Sequence, residues 1–69
     1  MKVSKEFIQA MNGVLNGEKW CRMSWDKDDF IFLAKPFGWI VLVWDNGDVD
    51  EDYVPKKEDM TATDWVKVG

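Results

Sequence analysis

Two segments hold the side chains whose types and spacing could do chemistry: Arg22-Met23-Ser24-Trp25, and the run 53–65, in which Asp59, Thr61 and Asp64 lead up to Trp65. Each sets a tryptophan beside charged or hydroxyl groups, a combination suited to a flat polar ligand. An indole face stacks on a base, and a carboxylate accepts hydrogen bonds from ribose hydroxyls. Lys19, Lys35, Lys56, Lys57 or Arg22, with free backbone N–H groups in 55–63, could meet a pyrophosphate.

Turnover has less to stand on. The chain has no histidine, one cysteine (Cys21) and no phosphate-cradling glycine loop, so Ser-His and Cys-His dyads and Cys/His zinc sites are excluded. Acidic clusters at Asp50-Glu51-Asp52 and at Asp26, Asp28 and Asp29 could bind a hard cation through oxygen, but they lack an EF-hand's glycine and terminal glutamate. A solvated acidic face is the stronger reading. The expected protein is therefore not an enzyme and carries neither metal nor cofactor.

Bland readings compete at each residue. Arg22 and Trp25, three apart in a strand, point to opposite faces unless the chain bends near Ser24. On residue type alone, Arg22 pairs with a carboxylate and Trp25 belongs to a core or interface. Asp64 caps a turn and Trp65 packs into a sheet about as readily as both bind a ligand.

The elements that must position these residues follow from periodicity. Ser4 reads as an N-cap, with Val3 and Ile8 as a hydrophobic staple; Phe7, Ile8, Met11, Val14 and Leu15 keep a helical period, and Gly17 ends it. Gly13 interrupts that helix at about 1 kcal/mol relative to alanine. Aromatic and β-branched runs then predict strands near 19–25, 30–35, 39–44, 49–54 and 65–68, with Asn46-Gly47 suited to a type I′ hairpin turn. The stretch 55–63 reads as an irregular functional loop. The expectation is an α+β fold, one N-terminal helix packed on a small antiparallel sheet of four or five strands, as a single domain over 1–69.

Size and charge bound the rest. A chain of 69 residues buries only about 60% of its unfolded surface, and with no disulfide or zinc available, self-association is the remaining source of buried area. Five tryptophans and four phenylalanines exceed what one small core encloses, so some rings should face a partner. A net charge of −4 disfavours direct nucleic acid binding. Residues 1–6 lack the apolar run of a signal peptide and no segment has the length of a membrane span, so a cytoplasmic protein is expected.

The order of these features resembles a known family. Phe7-x-x-Ala10, Gly17-Glu18-Lys19, Arg22-x-x-Trp25 and Pro55-x-x-x-Asp59-x-x-Ala62-x-Asp64-Trp65 resemble the small phage proteins that act as Thoeris anti-defence sponges, over both outer thirds of the chain. The resemblance implies a protein of the infected host cell that sequesters a glycocyclic ADP-ribose or similar cyclic nucleotide messenger without degrading it. It implies a homo-oligomer, dimer or tetramer, with pockets between protomers. Trp25 would stack on a base, Arg22 would support the phosphates, and Asp59, Thr61, Asp64 and Trp65 would supply the remaining contacts. The chain is shorter than typical relatives within about 36–52. A second reading is an anti-CRISPR or other protein–protein inhibitor that imitates DNA with Asp45, Asp48, Asp50, Glu51 and Asp52.

Overall fold

A computed structural model describes every residue except Met1, Lys27 and Phe37. The order is α1 (Lys5–Leu15), β1 (Lys19–Arg22), β2 (Phe30–Ala34), β3 (Trp39–Val43), β4 (Val49–Asp50), α2 (Lys57–Thr61) and β5 (Trp65–Val68). The five strands form one antiparallel sheet in the order β4-β3-β2-β1-β5, so the fold is α+β with a second, short helix.

The first helix is fixed at both ends by its sequence. Ser4 Oγ accepts from the Phe7 N–H at 3.1 Å, which satisfies one of the four unpaired donors of the first turn. At the other end Gly17, at φ 92°, lets its own N–H reach the Val14 carbonyl and the Glu18 N–H reach the Gly13 carbonyl, both at 3.0 Å. This pair of bonds is a Schellman motif. Gly13 is buried because the Trp20 indole and the Glu18 carboxylate lie where a Cβ would project. Its helical cost has a packing cause that a linear sequence does not display.

Register decides which face the helix covers. Trp20 pairs with Ile31 and Ile31 with Leu42, while Arg22 pairs with Trp65, so these residues share one face of the sheet. That face meets Ala10 and Val14 of α1, and Trp20, Ile31 and Trp65 complete the buried core. Since α1 lies chiefly over β1, β2 and β5, the same face over β3 and β4 stays open beyond the helix. The opposite face carries Phe30, Phe32, Trp39, Val41, Val43, Val66 and Val68.

Four expectations are corrected. The first strand stops at Arg22 rather than running to Trp25, because the Trp25 N–H turns back to the Arg22 carbonyl at 3.0 Å. The fourth spans only Val49–Asp50. Glu51 and Asp52 bend out, and pairing to β3 resumes with the Tyr53 N–H donating to the Ile40 carbonyl at 3.0 Å. Continued alternation would lay one carboxylate of this run on an apolar sheet face. The 45–48 hairpin is not type I′, since only Gly47 there has positive φ. Bonds from Gly47 N–H to the Trp44 carbonyl and from Trp44 N–H to the Asp48 carbonyl give a type I turn closed by a glycine bulge. The 55–63 stretch is not wholly irregular, because it contains α2.

Ser4 also joins the two helices. Its N–H donates to the Met60 carbonyl at 2.9 Å and its hydroxyl to the Ala62 carbonyl at 2.6 Å.

Candidate functional site

The bend after β1 is built by a carboxylate from the other end of the chain. Asp64, one residue before β5, accepts from Arg22 Nε at 2.8 Å through Oδ1 and from the Ser24 N–H at 3.2 Å through Oδ2. The sequence requirement for a bend near Ser24 is met this way. The turn brings Trp25 edge-on to Trp65, with ring centroids 5.3 Å apart at 77°, and to Tyr53 at 6.4 Å and 70°. Such edge-to-face geometry directs a ring's positive rim at a neighbour's negative face.

Asp59 anchors the second half. It is only 7% exposed, and its carboxylate accepts from Arg22 Nη1 at 3.2 Å, the Tyr53 hydroxyl at 3.0 Å and the Lys56 N–H at 3.3 Å. Its carbonyl accepts from Trp65 Nε1 at 2.9 Å, which locks the buried indole to α2. One guanidinium thus bridges two carboxylates, one within α2 and one just before β5. The hydrogen bond from Arg22 holds the Asp64 carboxyl below the usual carboxylate range, and the same bond raises Arg22 above its already high value. Burial first, then the negative charge of Asp59, pushes the Tyr53 phenol well above its ordinary value, so it stays protonated. Burial likewise pushes the Cys21 thiol up, with Asp29 and Asp64 adding to the effect. Neither group is an activated nucleophile.

Beside this network, on the open half of the helix-bearing face, lies a cleft of about 290 Å³. Trp25, Trp44 and Tyr53 form its aromatic walls, with Leu42 between them. Its polar groups are Arg22, Lys56, Asp29, Asp50, Glu58 and Asp59. That volume sits at the lower edge of the roughly 300–1,000 Å³ common for small-molecule sites.

The structure gathers Arg22, Trp25 and Asp59 at the cleft and sets Asp64 and Trp65 directly behind them. Thr61 is placed elsewhere: it is exposed, and its hydroxyl donates to the Lys57 carbonyl at 3.0 Å within α2. The sequence pattern offers Asp50 and Asp29 only as cation ligands and gives Trp44 no site role, because all three reach the cleft through strand pairing and a loop contact. Trp44 follows β3, and its indole N–H donates to Asp50 Oδ2 at 3.2 Å. Asp29 departs from the solvated face expected of its cluster; it is 4% exposed and accepts the Asp45 N–H at 2.7 Å. That bond, with the one from the Asp29 N–H to the Asp26 carbonyl at 3.1 Å, draws the three residues together, and carboxylate oxygens of Asp26, Asp29 and Asp45 lie within 4.8 Å of one another.

The family described as "Tad2-like: Thoeris anti-defense 2-like domain" matches residues 6–68, including the middle stretch outside the motif resemblance. No curated protein matches the chain. Among the described residues, no helix is long and apolar enough to cross a membrane.

Proposed function

The chain belongs to the Thoeris anti-defense 2-like family, and on that premise we propose that it is a non-enzymatic phage immune-evasion protein that captures a cyclic nucleotide-type messenger such as glycocyclic ADP-ribose. The observation that carries this reading is the convergence of Trp25, Trp44 and Tyr53 on one cleft whose wall includes Arg22 and Lys56. Aromatic faces bind a base without changing its bonds, and the protonated Tyr53 and Cys21 side chains favour binding over chemistry. A cleft of this size holds part of a messenger with two ribosyl groups and a pyrophosphate. The remainder would meet a second copy of the chain, so a homo-oligomer completes the pocket.

Capture is tested by incubating the protein with glycocyclic ADP-ribose, removing free ligand, and denaturing the complex by heat. Intact messenger should be released in stoichiometric amount, and Trp25→Ala should lower the yield. Messenger that emerges hydrolysed, or is never retained, refutes the proposal. Light scattering at micromolar concentration tests assembly, and a stable monomer that still captures messenger removes the inter-subunit pocket.

One observation favours the second reading, protein–protein inhibition by DNA mimicry. Asp45, Asp48, Asp50, Glu51 and Asp52 are all exposed around a single hairpin. Such an inhibitor would bind a basic nuclease with steep salt dependence, and Asp50→Asn with Asp52→Asn would abolish it.

A further inference from the structure

Most polar groups that line the cleft have their bonds already directed, the exposed Lys56 and Glu58 side chains excepted, and the pattern of what is left over selects among ligand groups. The Tyr53 hydroxyl donates to Asp59 and the Trp44 indole N–H donates to Asp50, so these donors are spent within the protein. Arg22, the strongest candidate for a phosphate, is shared between Asp59 and Asp64. The lining holds four carboxylates, Asp29, Asp50, Glu58 and Asp59, against two cations, Arg22 and Lys56. Asp64 behind Arg22 deepens that imbalance.

From this we infer that the cleft of one chain takes the uncharged nucleoside end of a nucleotide, a purine against the Trp25, Trp44 and Tyr53 rings with its ribose hydroxyls toward the carboxylates, and turns phosphate groups outward. An exocyclic amine and a ribose diol bring hydrogen-bond donors, the partners that surplus carboxylate oxygens lack. A phosphate brings only acceptors and negative charge to a wall already short of positive charge, and the arginine that would compensate is engaged. The inference rests on the messenger reading and refines it by assigning one end of the ligand to this cleft.

The test is isothermal calorimetry of the intact chain with adenosine, AMP and ADP, at low and at high salt. Adenosine should bind most tightly, with AMP and ADP weaker by about threefold or more at low salt and the gap closing as salt rises. Asp50→Asn, which removes one negative charge from the lining, should narrow the gap between adenosine and AMP. Trp44→Leu should weaken all three, and Trp39→Leu on the opposite sheet face should weaken none. Tighter binding of AMP or ADP than of adenosine overturns the inference. Absence of adenosine binding while glycocyclic ADP-ribose is still captured also overturns it and leaves the proposed function standing. The adenosine preference without messenger capture does the reverse.

Discussion

Replacing Arg22 by methionine isolates the energetic role of the bridging guanidinium. The change keeps most of the aliphatic stem and deletes two ion pairs, at 3.2 Å to Asp59 and 2.8 Å to Asp64. The two carboxylates do not suffer equally. Asp64 has a side chain 29% exposed and keeps the Ser24 N–H, so water restores much of its solvation. Asp59 has a side chain only 10% exposed and is left charged with just the Tyr53 hydroxyl and the Lys56 N–H. Breaking one side of a buried pair costs roughly 3–5 kcal/mol, and the partial exposure here places the loss near the low end, about 3 kcal/mol. For a domain of this size that corresponds to a melting temperature lowered by roughly 12–24 °C. Urea unfolding followed by tryptophan fluorescence measures it, and a second substitution identifies the cause. Asp59→Asn neutralises the stranded charge, so adding it to Arg22→Met should recover at least about 1 kcal/mol relative to the sum of the two single changes. Additive losses within about 0.5 kcal/mol would show that the bridge is solvated, and the reasoning would fail.

Two further outcomes follow from contacts around this network. The folded-state pKa of Tyr53 is raised, so its contribution is fully present below the unfolded value near 10 and declines as the pH rises above it, because only the unfolded chain then releases the phenolic proton. Denaturation midpoints should therefore fall above about pH 10. Tyr53→Phe should flatten that part of the profile, and an unchanged slope would show that Tyr53 ionises freely in the fold. Gly13→Ala, which would gain about 1 kcal/mol in an exposed helix, should instead lower stability by about 1 kcal/mol or more, since its methyl group meets the Trp20 indole and the Glu18 carboxylate. A raised denaturation midpoint would contradict the close approach.

The sequence displayed what local chemistry dictates. The Ser4 cap, the apolar period through Val14, the Gly17 stop and the strand at Trp65–Val68 are each written in adjacent residues, and the structure contains them. The short helix Lys57–Thr61 was not legible because five residues cannot show an apolar period; Asp59 organises it through the Lys56 N–H and contacts from distant Arg22 and Tyr53. Asn46-Gly47 announced a turn but not its type, because a glycine with positive φ suits both a type I′ loop and a glycine bulge. The places of Trp44 and Asp29 in the cleft are not legible for a different reason. Most of their neighbours in the cleft are distant along the chain, and only the closing of the sheet makes them adjacent.

The antiparallel seam between β1 and β5, which pairs Lys19 with Val68 and Arg22 with Trp65, sets an order of events. While the chain is being synthesised, the β2–β3 hairpin has its partners nearby, but α1 lacks β5, and Arg22 lacks Asp59 and Asp64, until the stretch that carries them emerges. Contacts so distant along the chain are reached late, after the entropy of a long loop has been overcome. Until then a nascent chain has Trp25 and the guanidinium but not the carboxylates that fix them beside the cleft.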